Sequence, residues 1–242
     1  MELSEYHNIA QLEADHWWYA GMRAIARSVL RRVPLPPGAR LLDAGCGVGG
    51  GLRWLAEFGT VTGIDWHPLA AQYASRVSAR VARASVQALP FPAASFDAVT
   101  SFEVLYHLAV RDDVAALREF ARVLRPGGWL LLRVPAHDQL RGAHDRHVHT
   151  RHRYAAGELR AKLLAAGFHV QRLTPVGAGL LPLAALRRLV QPAQAAHTDV
   201  SLPAPLLNAL LRRGLSAEGA WLAWANLPFG LSLLALARAP GA

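Results

Sequence analysis

The segment LLDAGCGVGGG, residues 41–51, indicates the fold of this 242-residue chain. The apolar run at 40–43 ends in a glycine cluster, which is typical of a buried parallel strand followed by a tight turn. Gly45, Gly47 and Gly49 stand at alternate positions in that turn. Because glycine has no Cβ, the backbone can turn sharply there and approach a ligand closely. The segment therefore predicts a strand, a ligand-binding loop and then a helix.

Downstream, short apolar runs alternate with helical patterns of about ten residues. This order predicts βαβ units and a parallel sheet with helices on both faces. Ligands bind such sheets beyond the carboxyl ends of the strands, so functional residues are expected just after strands 1 to 4. The predicted strands are 40–43, 61–65, 79–84, 96–102 and 129–134, and the predicted helices are 50–58, 68–77 and 113–124.

The segments that flank this alternating core also have regular patterns. One helix is predicted at 8–32, and the later elements are helices at 157–167, 178–190, 204–214 and 216–225 and strands at 168–174 and 227–237. We expect a single domain over 1–242. Its parts are an N-terminal helical cap (1–38), a core (39–174), a helical insertion (175–226) and a closing strand (227–237).

The composition excludes several classes of protein. With 52% apolar and 18% charged residues, the chain is neither a disordered tail nor a coiled coil. The net charge is +9, nearly all from arginine, and Lys162 is the only lysine. No block of five or six basic residues occurs, and no basic stripe alternates with aromatics, so we expect no nucleic-acid partner. Cys46 is the only cysteine, which excludes an intramolecular disulfide and a cysteine-built zinc site.

Neither end of the sequence suggests targeting to or through a membrane. The opening MELSEYHNIAQLEADHWW lacks the basic and apolar regions of a secretory signal, so we expect a cytoplasmic location. The longest apolar stretches are 176–190 and 220–238. Arginines interrupt the first, and Asn226, Pro228 and Gly230 interrupt the second, so neither is a clean run of the ~20 apolar residues that a spanning helix needs.

The glycine loop fits two kinds of cofactor. Gly45, Gly47 and Gly50 match the G-x-G-x-x-G spacing of dinucleotide sites, which leaves an NAD(P)-dependent oxidoreductase open. Asp43 argues against that interpretation, because a carboxylate before the turn would repel a pyrophosphate. A ligand with a sulfonium and an amino-acid end would tolerate or favour that charge. Asp65 ends the second predicted strand, where a carboxylate can accept both hydroxyls of a ribose.

Taken in order, six stretches of the chain resemble class I S-adenosylmethionine-dependent methyltransferases of the small-molecule branch (methyltransferase type 11-like). The resemblance spans about 41–174. It implies a Rossmann-like, doubly wound α/β fold: a mostly parallel seven-stranded sheet with its last strand antiparallel, N-terminal helices and a helical insertion before that strand. It also implies S-adenosylmethionine as cofactor. The stretches are LLDAGCGVGG, GIDWHP, ALPFPAASFDAV, SFEVLYHL, LRPGGWLLL and YAAGELRAKLLAAGF.

The resemblance also implies a cofactor site. The amino-acid end of the cofactor would lie at Asp43, Gly45 and Gly47. The ribose would lie at Asp65 and the adenine against Trp66. Many family members carry an aspartate after strand 3, where this chain has Ser85, whose hydroxyl could substitute together with the Val86 backbone. The expected cofactor-binding residues are Asp43, Gly45, Cys46, Gly47, Asp65, Trp66, Ser85, Val86, Phe102 and Glu103.

Three residues are candidates for the reaction itself. His107, beside Tyr106, follows strand 4 on the face where the methyl group should point, and an imidazole suits a general base for a hydroxyl acceptor. An ordinary histidine at a helix start, packed by Tyr106, is the alternative. His149 is the third candidate, because it lies in a histidine- and arginine-rich segment at 136–154.

The segment 136–154 has three interpretations. In the first, it is a substrate lid: Arg151, Arg153 and Tyr154 bind the acceptor, and the arginines hold an anionic group. In the second, it is a plain solvated loop, and in the third, it is a divalent metal site. We favour the lid and expect no bound metal, because the spacing of the histidines follows no ligand motif. These histidines are His137, His144, His147, His149 and His152.

The apolar helices before the closing strand, together with Trp18 and its aromatic neighbours, suggest a pocket for an apolar acceptor. The same surface could contact a membrane peripherally or form a homodimer. We therefore expect methyl transfer to a small, hydrophobic or lipid-linked molecule. Three alternatives stay open: a cofactor-binding protein of this fold without methyl transfer, an oxidoreductase, and an RNA methyltransferase, which would need salt-dependent RNA binding.

Overall fold

The structure is a computed structural model that describes residues 3–142, 145–146, 148–181 and 202–241. Its centre is a seven-stranded sheet in the order β3-β2-β1-β4-β5-β7-β6, with β7 antiparallel to both of its neighbours. The Rossmann-like, mostly parallel sheet with an antiparallel last strand is therefore confirmed. The strands are β1 (Arg40–Ala44), β2 (Thr60–Asp65), β3 (Val81–Arg83), β4 (Phe96–Phe102), β5 (Leu124–Pro135), β6 (His169–Val176) and β7 (Ser232–Arg238).

Helices cover both faces of this sheet, and its central strands β1 and β4 are almost wholly buried. Burial on both faces explains why these strands read as continuous apolar runs rather than as alternating ones. The α-helices are α1 (Leu3–Leu12), α2 (Trp17–Leu30), α3 (Gly50–Leu55), α4 (Pro68–Ser75), α5 (Asp113–Val123), α6 (Ala156–Ala165) and α7 (Pro205–Trp221).

The N-terminal region contains two helices, and the single helix expected at 8–32 is wrong. The chain leaves α1 after Leu12 and starts again at the N-cap residue His16, whose side chain accepts a hydrogen bond from the Trp18 backbone N–H. Capping satisfies one of the backbone donors that every helix start leaves unpaired. The interruption lets α1 pack against α4, while α2 packs along α7.

The C-terminal region also differs from expectation. The two helices expected at 204–214 and 216–225 are one helix, α7, and the closing strand begins at Ser232 rather than at 227. Pro228 and Gly230 precede it, and both disfavour a strand interior. The helix expected at 178–190 lies largely outside the described residues. In the part of the chain that the structure describes, no helix is long and apolar enough to cross a membrane.

Candidate functional site

A cavity of about 1160 Å³ opens beyond the carboxyl ends of the parallel strands, under the two N-terminal helices. It is lined by every residue expected to bind the cofactor and by all three residues expected to act in the reaction. Of the residues expected to bind the acceptor, it contains Trp18 and Arg153. Ligand pockets commonly measure roughly 300–1,000 Å³, so this cavity has room for more than one molecule.

The glycine loop after β1 forms one wall of the cavity. The backbone N–H groups of Gly45 and Cys46 donate to the Ile64 carbonyl at 2.9 and 2.8 Å, which ties the loop to β2. Gly45 has φ +88°, and a Cβ there would overlap the Val104 side chain. Gly47 has φ +55° and open space where a Cβ would stand. The loop is thus an open cradle of backbone that glycine alone forms without strain.

Asp43 lies at the base of this loop and is only 3% exposed. Its Oδ1 accepts a hydrogen bond from the Thr100 hydroxyl at 2.8 Å. Burial raises the pKa of this carboxyl to about 7, with further increases from Glu13 and Asp65 nearby. A buried carboxylate without a cationic partner is costly, so the position is suited to a ligand that brings a positive charge.

Asp65 forms the second acidic position of the site. Its Oδ2 accepts from the Gly47 N–H at 3.0 Å, and its Oδ1 accepts from the His67 N–H at 2.8 Å. Burial raises its pKa, and these two backbone donors oppose that rise. Asp65 therefore braces the glycine loop and the start of α4 while facing the cavity. Trp66 beside it is exposed, with the Arg83 guanidinium 5.6 Å from its ring centroid.

Two further residues of the site were missed by sequence reasoning: Tyr6 on α1, and Glu13, which directly follows that helix. The Tyr6 ring stacks on His67 with centroids 4.3 Å apart. Burial raises the pKa of the Glu13 carboxyl, which lies against Gly50. The only sequence signal was that these residues come from a polar, acidic opening segment, which resembles any solvated helix. Their burial depends on α1 folding back over the sheet edge.

The two candidate histidines meet in the cavity. The His107 and His149 ring centroids are 5.7 Å apart, and the Leu108 N–H donates to the His149 carbonyl at 2.9 Å. His107 Nδ1 accepts from the Ala109 N–H at 3.0 Å, and burial, followed by neighbouring positive groups, lowers its pKa to about 4. His149 has φ +55°, an uncommon backbone state for a residue with a side chain.

After His149, Glu103 is the second cavity residue other than glycine with a left-handed backbone, at φ +58°. It follows β4 and accepts a hydrogen bond from Arg133 Nε at 2.8 Å. The Arg133 guanidinium lies over the Phe102 ring, 5.3 Å from its centroid, and the whole group lines the cavity. Strained backbone conformations are more common at functional sites than elsewhere.

Arg151 and Tyr154, both expected to bind the acceptor, lie outside the cavity. Arg151 pairs with Asp113 at 3.2 Å, and the Tyr154 hydroxyl donates to the same carboxylate at 2.8 Å. Tyr154 is 1% exposed. The structure thus places these two residues in the buried packing that anchors the segment 136–154. Arg153 reaches the cavity but is held by Asp145 through bonds of 2.9 and 3.1 Å.

The residues around Asp113 are also relevant to the interpretation of the segment 136–154 as a metal site. Ligand atoms of Asp113, His152 and Glu158 all lie within 4.8 Å of one another. Lys162 Nζ stands 2.6 Å from Asp113 and 2.8 Å from Glu158, so an ammonium already supplies the positive charge that these carboxylates need. His144 and His147 lie outside the described residues. The prediction that no metal binds here stays a prediction.

Comparison with known proteins gives a consistent family. Residues 42–132 match the model of a family described as "Methyltransferase domain". The chain is 32% identical over 194 residues to a protein of Mycolicibacterium smegmatis described as an S-adenosylmethionine-dependent methyltransferase, covering 76% of this chain and 72% of the relative. A solved S-adenosylmethionine-dependent methyltransferase from Mesorhizobium loti superposes with a TM-score of 0.60 at 19% identity, covering 93% and 99% of the two chains.

Two shorter matches have more specific names. A 2-methyl-6-phytyl-1,4-hydroquinone methyltransferase of Synechocystis is 41% identical over 105 residues, which is 40% of this chain and 32% of that protein. A fatty-acid O-methyltransferase of M. smegmatis is 42% identical over 101 residues, covering 39% and 36%. The chain thus aligns with about a third of the length of these two relatives.

Proposed function

The chain belongs to the class I S-adenosylmethionine-dependent methyltransferases, and from that premise we propose that it transfers a methyl group to a small, apolar acceptor. The observation that carries the proposal is the glycine cradle between two carboxylates, the buried Asp43 and the half-buried Asp65, in a chain whose net charge is +9. Such an acidic position in a basic protein favours a cationic ligand and disfavours a pyrophosphate.

The residues of this cavity fit S-adenosylmethionine. Asp43 and the open backbone at Gly47 would hold its amino-acid end, since that end carries an ammonium group. Asp65 would accept the ribose hydroxyls, and Trp66 with the Ser85 and Val86 segment would border the adenine. When bound, the cofactor supplies a methyl carbon made electrophilic by its sulfonium. The protein's own contributions are to orient the acceptor, exclude water and receive a proton where one is released.

An apolar acceptor is supported by the part of the cavity that lies away from the glycine loop. Trp17, Trp18, Met22, Pro135 and Leu231 line it there. Two of the relatives are named for a prenylated hydroquinone and a fatty acid. A volume above that of ordinary ligand pockets leaves space for an extended chain beside the cofactor.

His107 would receive the proton when the acceptor is a hydroxyl compound, with His149 beside it. Its lowered pKa keeps the imidazole neutral, and therefore able to accept a proton, throughout the physiological range. The same low pKa makes it a weak base, because proton transfer is most efficient when the pKa of the base lies near the working pH. His107 would thus serve acidic hydroxyl groups better than ordinary alcohols.

The first test is calorimetric titration with S-adenosylhomocysteine and, separately, with NADH. We expect binding of S-adenosylhomocysteine alone, lost in Asp65→Ala. Asp112→Ala is the matched control, because Asp112 also accepts from a backbone N–H at a helix start but lies outside the cavity. Preference for NADH would overturn the cofactor assignment. Binding without turnover of labelled S-adenosylmethionine on any acceptor would instead indicate a binding protein of this fold.

A further inference from the structure

Arg133 is a buried arginine that lines the cavity, two residues before Pro135. It lies near the carboxyl end of β5 and is only 7% exposed. Its Nε donates to Glu103, as described above, and the Phe102 ring covers one face of the guanidinium. Among the described residues, only the Nε of this guanidinium has a hydrogen-bond partner, and Nη1 and Nη2 make no hydrogen bond to them.

This arrangement is incomplete in terms of hydrogen bonding. A guanidinium carries five N–H donors, so Arg133 has donors left for a ligand that enters the cavity. Arg125, at the other end of the same strand, provides a contrast. It pairs with Asp97 of β4 at 2.6 Å, but it is much more exposed and lies outside the cavity. The donors of Arg133 border a cavity lined largely by apolar side chains.

We propose that Arg133 binds a carboxylate of the acceptor, so that the substrate is an apolar carboxylic acid. This inference rests on the proposed methyl transfer and narrows its acceptor. A planar guanidinium matches the two oxygens of a carboxylate, and hydrogen bonds between ionised partners are about twice as strong as neutral ones. Glu103 pairs with Nε and leaves the outer donors of Arg133 facing the cavity, so the guanidinium can hold Glu103 and the carboxylate of an acceptor at the same time.

The chemistry of such an acceptor is consistent with the rest of the site. A carboxylate oxygen supplies the electron pair of the new C–O bond to the methyl carbon, and the electron pair of the broken C–S bond stays on the sulfur. The products are a neutral methyl ester and S-adenosylhomocysteine, and no proton has to move. Such a reaction needs no strong base, in agreement with the low pKa of His107.

The test measures binding to the protein saturated with S-adenosylhomocysteine. Laurate, lauryl alcohol and laurylamine share one chain and differ in the head group. We expect laurate to bind at least roughly tenfold more tightly than the other two, since a hydrogen bond to a charged group contributes about that factor or more. Methyl laurate should be the product when S-adenosylmethionine replaces S-adenosylhomocysteine.

The variants separate the binding role from a structural one. We expect Arg133→Gln to lose the preference for laurate, and Arg133→Lys to retain part of it. The double variant Arg133→Gln with Glu103→Gln leaves no unpaired charge, so it should fold and still lack the preference. Arg125→Gln is the matched control and should bind laurate like the wild type.

The outcomes distinguish a failure of the carboxylate proposal from a failure of the proposed function. Equal affinity for laurate and lauryl alcohol in the wild type overturns the carboxylate proposal, while methyl transfer to another acceptor would leave the proposed function standing. If Arg133→Gln loses S-adenosylhomocysteine affinity while Glu103→Gln alone retains it, Arg133 binds the carboxylate of the cofactor, and the proposal is wrong. Absence of S-adenosylhomocysteine binding in the wild type would overturn the proposed function itself.

Discussion

At the scale of single residues, the site contains a carboxyl group whose ionisation is energetically unfavourable because it is buried. Asp43 is a fully enclosed carboxyl whose pKa is raised to about 7, above a value near 4 for an unfolded chain. Between these values the native state binds more protons than the unfolded state does. The stability that this carboxyl contributes as a neutral group is therefore present at low pH and is lost as pH rises towards 7. The cost is offset when a cationic ligand binds.

Asp43→Asn should therefore stabilise the ligand-free protein at alkaline pH. The amide cannot ionise and can still accept from the Thr100 hydroxyl. We expect the variant to exceed the wild type in free energy of unfolding by about 1–3 kcal/mol at pH 8, with the gap narrowing below pH 6. Urea unfolding at the two pH values measures this. A variant less stable than the wild type at pH 8 would contradict the unpaired state of Asp43.

His107 gives a second expectation at this scale. Because burial lowers its pKa to about 4, the imidazole is unprotonated above that value and gains a proton only as pH falls towards it. Under saturating S-adenosylmethionine, we expect the rate for a phenolic acceptor to show no loss attributable to His107 between pH 8 and 6. A single-turnover pH profile measures this. Loss of activity around pH 6.5 in the wild type, absent in His107→Gln, would show that the imidazole titrates normally.

At the scale of elements, the position of the cap depends on close packing of α2 against α7. A Cβ at Gly21 would overlap the Leu215 side chain, and one at Gly219 would approach the Ile25 backbone at 3.3 Å. Trp17 N–H donates to Asn208 Oδ1 at 2.9 Å at the cavity end of the pair. The contact thus sets where the aromatic residues at the start of α2 stand over the site.

Gly21→Val should separate these helices. We expect a loss of about 1–3 kcal/mol in free energy of unfolding, because overpacked side chains force the backbones apart. Gly214→Ala is the control on α7, where a Cβ meets nothing within 4 Å. It should stabilise the protein by about 0.5–1 kcal/mol through helix propensity. Thermal unfolding of both variants measures the difference, and equal melting temperatures would contradict the close packing.

At the scale of the whole molecule, the cavity joins the sheet to α1 and α2. Tyr6 lies on α1 and Glu13 directly follows that helix, whereas Asp43 and Asp65 come from strands. A ligand between them would contact both regions, so ligand binding should raise the free energy of unfolding. S-adenosylhomocysteine at about 100 times its Kd should add about 2.7 kcal/mol, which for a chain of this size raises Tm by roughly 5–10 °C. Scanning calorimetry measures this, and a similar shift in Asp65→Ala would contradict the assigned site.

The sequence alone determined the sheet and the half of the site that follows β1 and β2. The reason is local: the glycine turn with Asp43, and Asp65 at the end of the next strand, are each specified by neighbouring residues. Parallel strands then bring these two positions to one edge of the sheet.

Only the tertiary structure decided the other half. Nothing local distinguishes Glu13, which follows a polar helix, from a solvated residue. Nothing local distinguishes Arg151, which pairs with Asp113, from Arg133, which lines the cavity. The meeting of His107 with His149 likewise depends on contacts between segments far apart in the chain. A side chain's burial and partners depend on which distant elements pack against it, and a local pattern does not contain that information.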